Sequence, residues 1–169
     1  GGEHLLNWDV VKQTVEYIEQ EAPKYNKIFK LTLTTNGMLL SQEKIDYVNE
    51  HKMSLVLSLD GREDVHNAMR PVAGSGANSY EYIAKNLVNA VKQRHGLEYY
   101  VRGTYTHKNL DFTKDVLAMS DLGFEHLSME PVVGEEGDYV LREEDWPTLE
   151  KEYEKLADIY LQRQKDGWG

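Results

Sequence analysis

No two strand-like stretches of this chain follow one another directly; a stretch of helical period stands between each pair. Ile28 to Thr35 (IFKLTLTT), Met53 to Leu59 (MSLVLSL), Tyr99 to Thr106 and Phe124 to Met129 have the β-branched and apolar content of strands. Between and around them, helices are expected from Trp8 to about Glu21, Ser41 to about His51, Arg62 to Met69, Ser79 to about Arg94, Asp111 to Ser120, and about Glu143 to Lys165. Asn36-Gly37 is a pair that often closes a hairpin. Here a helix comes before the next strand, so a crossover is expected instead. Strict alternation implies a parallel sheet with right-handed crossovers. A closed eight-stranded barrel needs about 250 residues, and this chain has 169. The expected fold is therefore α/β, either part of a parallel (βα) barrel or an open sheet. Gly1-Gly2-Glu3 looks like a strand end, so the sheet is expected to be cut at its start. No seam in composition divides residues 1–169, and one domain is expected.

Local signals support these spans. Asn7 is a suitable N-cap for the first helix, whose Trp8, Val11, Val15 and Ile18 share a face, and Pro23 follows its end. The run MSLVLSL does not alternate, which is the pattern of a strand buried on both faces. In the last helix Trp146, Leu149, Tyr153, Leu156 and Tyr160 recur at steps of three and four, a stripe expected to pack on the domain.

Charge and cysteine content exclude several functions. The net charge is -10, which disfavours non-specific attraction to nucleic acid or an anionic membrane. No apolar run approaches the roughly 18 residues of a membrane span, and no secretory signal is visible. There is no cysteine, so disulfides, a cysteine nucleophile and thiolate metal sites have no residues to form them. A cytoplasmic setting is the default expectation. The six histidines, at 4, 51, 66, 95, 107 and 126, show no ligand spacing, and surface or loop positions are expected for them. No metal site is assigned.

Ligands of parallel α/β proteins bind at the carboxyl ends of the strands. Those ends carry Gly1-Gly2-Glu3, Thr34-Thr35-Asn36-Gly37, Ser58-Leu59-Asp60-Gly61, Arg102 within its strand, and Ser128-Met129-Glu130-Pro131. Hydroxyls, an amide, carboxylates and a guanidinium suit a zwitterion that carries a sugar. Glu3 would take an ammonium, Arg102 a carboxylate, and Ser58 with Asp60 ribose hydroxyls. The same residues also fit a polar rim that ends strands and caps helices, with Asp60 capping the helix at Arg62. Gly74-Ser75-Gly76 is a weak phosphate-loop candidate, since no strand leads into it.

In order, these motifs resemble those of radical S-adenosylmethionine enzymes. Gly1-Gly2-Glu3-His4-Leu5 resembles their GGEP motif, Thr35-Asn36-Gly37 and Ser58-Leu59-Asp60-Gly61 follow at strand ends, and Arg70 fits the pattern after Val65-His66. Val101 to Gly134 with the following LREEDW is similar to SPASM-type peptide maturases, especially those forming thioether bonds in six-cysteine (SCIFF) ribosomal peptides. The resemblance implies a partial barrel binding S-adenosylmethionine. A [4Fe-4S] cluster would cleave that molecule to a 5'-deoxyadenosyl radical, which takes hydrogen from a ribosomally made precursor peptide. By position Gly1, Gly2 and Glu3 would meet the methionine amino group. Asn36, Ser58 and Asp60 would lie near the cofactor, with Arg102 near its carboxylate; no catalytic residue is assigned. Two departures stand out. His4 replaces the motif proline, and the CxxxCxxC and auxiliary cluster cysteines are absent, so the chain is expected to be an excised, inactive central piece. Two other readings are a different barrel enzyme, an aldolase or hydrolase using Glu3, Asp60 and Glu130, and a non-catalytic module binding through Glu135 to Asp138 and the last helix.

Overall fold

The computed structural model describes residues 3–69 and 79–167. Gly1, Gly2, Arg70, Gly74 and Gly76 lie outside the described residues. Four strands, β1 (Thr32–Thr35), β2 (Ser54–Ser58), β3 (Tyr99–Tyr105) and β4 (Leu127–Pro131), form a sheet in the order β1-β2-β3-β4. The helices are α1 (Trp8–Glu21), α2 (Gln42–Glu50), α3 (Glu63–Met69), α4 (Ser79–Lys92), α5 (Thr113–Asp121) and α6 (Trp146–Lys165). The β1–β2 and β3–β4 pairs are parallel, with Leu33 opposite Leu55 and Val101 opposite Leu127. Alternation of strand and helix in the sequence thus carries through to a parallel sheet.

The chain sorts into two compact units. The first comprises residues 1–58 and 81–100, the second residues 59–80 and 101–169. In the first unit, Leu33 and Thr35 of β1 and Leu55 and Leu57 of β2 are buried, as are Ile45 and Val48 of α2 and Ile83 and Leu87 of α4. Each fully buried aliphatic side chain stabilises by about 1.5–3 kcal/mol. Thr34 and its partner Val56 point the other way and are half-exposed. The strand from Met53 is therefore not buried on both faces: Val56 and Ser58 occupy the more open one.

In the second unit Val101, Gly103 and Tyr105 are buried, whereas Arg102 is exposed and Thr104 half-exposed. Tyr105 stacks on Phe112, with ring centroids 4.7 Å apart, and its hydroxyl lies 2.7 Å from that of Tyr153. Glu152 of α6 accepts the Thr113 N–H at 3.0 Å, closing the first turn of α5 against α6.

Several expectations are corrected. Ile28 and Phe29 are exposed and unpaired, because β1 begins only at Thr32. Asn7 makes no side-chain cap bond; it ends a 3-10 turn from His4, which Glu3 caps by accepting the Leu5 N–H. Of the terminal stripe only Leu149 is fully buried, while Trp146, Tyr153 and Tyr160 are exposed. The helix packs through a shorter contact than its period allows. His66, expected at the surface, is wholly buried in α3.

Candidate functional site

The strand-end residues of the first unit form a braced pair of turns. Glu3 places one carboxylate oxygen on the Leu5 N–H (3.2 Å) and the other on the Asn36 N–H (2.7 Å). A short acidic side chain thereby ties the turn that precedes α1 to the turn after β1. That second turn is held from within: Thr35 Oγ1 accepts the Gly37 N–H at 3.1 Å and Asn36 Oδ1 the Met38 N–H at 3.0 Å. These are the local bonds that hydroxyl and amide side chains offer at turns. Gly37 sits at φ +84°, where glycine is favoured, and its carbonyl accepts Asn86 Nδ2 at 2.9 Å. Ser58 is half-buried at the end of β2. His4, in the motif's proline position, accepts the Thr34 N–H on Nδ1 at 3.3 Å. A proline there would supply no such acceptor.

The second unit holds its strand ends with charged groups. Asp60 is 1% exposed; Oδ1 accepts the Thr104 N–H of β3 at 3.0 Å, and its own N–H donates to His66 Nδ1 at 3.3 Å. Gly61 follows at φ +80°. Arg62 then reaches α5: its N–H and Nε donate to Asp115 Oδ1 at 3.2 and 2.7 Å, and Nη1 and Nη2 to Asp111 at 3.1 and 2.8 Å. Asp115 is wholly buried, and its Oδ2 also accepts Asn109 Nδ2 at 3.3 Å. The same amide donates to the Thr104 carbonyl at 3.2 Å, while Asn109 Oδ1 accepts the Thr106 N–H at 2.7 Å.

These contacts set the ionisation of the cluster. Burial pushes the Asp115 carboxyl above the usual carboxylate range, against the pull of Arg62 and Asn109. The Arg62 hydrogen bond holds Asp111, at the more open end, below that range. Burial works against the Arg62 charge, but its bonds to Asp111 and Asp115 together outweigh it and raise its pKa. Arg102 and Glu130 pair on the exposed side, Nε to carboxylate oxygen 3.3 Å. Asp60 and Arg102 therefore serve different surroundings, one a buried strand clamp and the other an open ion pair. Away from these turns His107, Glu144 and Asp145 have donor atoms within 4.8 Å of one another, a grouping able to hold a metal ion. Its Asp145 carboxylate already accepts from His107 Nδ1 and the Arg142 N–H, both at 2.8 Å.

Arg62, Asn109, Asp111 and Asp115 are absent from the sequence-derived set. The available signal was the spacing of Asp111 and Asp115, which puts two acids four residues apart at the start of a helix. Nothing in the sequence names Arg62 as their partner. No iron–sulfur cluster can be held here by thiolates, since there is no cysteine.

No protein-family model and no curated protein matches this chain. Solved structures do. One of anSMEcpe with bound AdoMet and Kp18Cys peptide superposes with a TM-score of 0.83 at 20% identity, over 99% of this chain and 46% of that one. A second anSMEcpe structure, with AdoMet and a Cp18Cys peptide, gives 0.81 at 21% identity over 99% and 46%. A domain of a pyruvate-formate lyase-activating enzyme from Bacteroides vulgatus gives 0.58 at 17% identity, over 93% of this chain and 91% of that one. The fold is thus the partial parallel (βα) barrel that these structures share. The chain spans less than half the length of the anSMEcpe chains it matches.

Proposed function

We propose that these residues form the S-adenosylmethionine-binding part of a radical S-adenosylmethionine peptide-modifying enzyme. The observation that carries the reading is the shared fold with AdoMet-bound anSMEcpe across 99% of the chain. The donor set at the strand ends suits that ligand. The Ser58 hydroxyl and the Asn36 Nδ2 supply hydrogen-bonding groups at half-buried positions, and Arg102 supplies a cation. Glu3 acts through the Asn36 turn that it braces, and Gly1 and Gly2 would meet the methionine amino group beside it. Ser58 and Asp60 serve the ribose or methionine end. A ribosomally made precursor peptide is the proposed partner, by analogy with the peptides bound to anSMEcpe. Thioether formation of the six-cysteine peptide type is the finer reading, and it rests on the sequence resemblance of Val101 to Gly134.

Bound S-adenosylmethionine supplies a carbon-centred radical once it is reductively cleaved. The [4Fe-4S] cluster for that cleavage does not fit the residues present, so no step of it is assigned to them. This chain is expected to bind without turnover. Calorimetric titration with S-adenosylmethionine tests the reading: saturable one-to-one binding is expected. Asp60→Ala should weaken it by about 1.5–3 kcal/mol, the range for hydrogen bonds to charged groups. If Asp60 is only a structural clamp, its loss lowers the melting point and leaves affinity unchanged. Absence of binding to the unaltered chain removes the proposal.

A further inference from the structure

Within the second unit the hydrogen bonds around Asp60 close into a ring. Asp60 Oδ1 takes the Thr104 N–H at 3.0 Å, and the Thr104 carbonyl takes Asn109 Nδ2 at 3.2 Å. That amide also meets Asp115 Oδ2 at 3.3 Å, and Asp115 Oδ1 takes the Arg62 N–H at 3.2 Å. Two peptide units through Gly61 lead back to Asp60. One buried carboxylate therefore fixes the turn after β2 relative to the turn after β3.

We propose that Asp115 is a positioning residue for the Leu59–Arg62 turn, acting on the ligand through Asp60 and Gly61 rather than touching it. The inference deepens the S-adenosylmethionine reading and rests on it. Three observations favour it over plain anchoring of α5. First, the side-chain partners found for Asp115 come from the two strand-end turns: Arg62 on one side, Asn109 on the other. Second, a carboxylate is a costly anchor. An apolar side chain of similar size would hold a helix as well without desolvating a charge. Third, Gly61 lies against Asp115 so closely that a Cβ on it would fall 2.4 Å from the Asp115 Cβ. Backbone and carboxylate thus set each other's place. Arg62 supports the arrangement by spanning Asp115 and Asp111 with one planar fork, which suits a guanidinium and not an ammonium.

The test combines amide exchange with titration of the intact chain, using S-adenosylmethionine as the probe. In Asp115→Ala, exchange at the Thr104 and Arg62 amides should quicken about tenfold or more, and S-adenosylmethionine affinity should fall by a similar factor. Asp60→Ala/Asp115→Ala should then bind no worse than the weaker single variant, because both changes release the same turn. Arg62→Met, which keeps the buried carboxylate, should show the same pattern to a smaller degree and serves where Asp115→Ala does not fold. Unchanged exchange at Thr104, or affinity losses that simply add, would overturn the positioning role. If the unaltered chain does not bind the probe, the proposed function fails, and the exchange result alone decides whether Asp115 holds the turn.

Discussion

Each unit buries a charged side chain beside its strands, and the two are solved in opposite ways. In the first unit Arg94 is 1% exposed and holds carbonyls. Its guanidinium donates to Asn49 Oδ1 (2.6 Å), to the Met53 carbonyl just before β2, and to the Glu98 carbonyl (2.7 Å) just before β3. No carboxylate pairs with it among the described residues, its Nε has no partner, and burial lowers its pKa. In the second unit Asp115 holds N–H groups, and it has a cation, Arg62, beside it. Arg94 is a neutral-partner staple where strands begin; Asp115 belongs to an ionic network where they end. The difference teaches where charge is tolerated for shape alone and where it is kept in a connected set. A staple needs only acceptors, whereas a network transmits the state of one member to the next.

The sharpest way to break the comparison is to remove the staple. Arg94→Met should cost about 3 kcal/mol or more in urea unfolding, since buried acceptors left unpaired cost about 1–3 kcal/mol each. Arg94→Lys should recover only part of that, because a point charge cannot span three acceptors. A loss under 1 kcal/mol in Arg94→Met would show that the carbonyls find water instead.

Glycine replacement gives the next largest effect and contrasts the units directly. Gly61→Ala and Gly37→Ala both place a side chain at positive φ, at a cost of about 1–2 kcal/mol. At Gly37 the new methyl would meet Leu87 Cδ2 at 2.7 Å, the end of a side chain that can turn aside. At Gly61 it would meet the Asp115 Cα at 2.7 Å, which is backbone of a packed helix. Gly61→Ala should therefore be the worse by about 1–3 kcal/mol, the usual penalty for overpacking. Equal melting points for the two variants would show that α5 yields as readily as Leu87.

The smallest effect is on pH dependence, and its sign differs between two carboxylates on one guanidinium. Asp115 has its pKa raised by burial, so the folded state holds its proton above the ordinary carboxylate range. Its contribution to stability falls as pH rises through that window. Asp111 has its pKa lowered by Arg62. Its contribution is present above the ordinary range and is lost as pH falls below it. Asp115→Asn should steepen the gain in stability with rising pH, and Asp111→Asn should flatten it at the acid end. Denaturation midpoints across the acid range check both slopes; shifts of the same sign in the two variants would contradict the assigned directions.

Most of the fold was legible from period and punctuation. The bounds of α1 follow from its apolar face and Pro23, and the β–α alternation gave the parallel sheet. Ile28 and Phe29 misled because strand propensity is largely packing against a partner, and both are exposed ahead of β1. The terminal stripe misled for a related reason: periodicity says which residues share a face, not how much of that face a neighbour covers. Glu3, Asn36 and Asp60 were visible as strand-end polar groups. Their supports were not. Arg62 and Asp115 are 53 positions apart, and acids near a helix start ordinarily point to solvent. Only the fold brings them together.

The close approach of Gly61 and Asp115 also limits how this chain can drift in sequence. A change at either position alone carries a cost: a side chain at 61 strikes the helix, and a shorter residue at 115 gives up the Arg62 bonds to it while those to Asp111 remain. Changes in the turn, the helix and Asn109 are therefore coupled, and the least costly ones are made together. The combination Asp-Gly-Arg, followed by Asn and then Asp six residues on (Asn109 to Asp115), is therefore a usable search pattern. It would find the same turn in chains too distant to align by overall similarity.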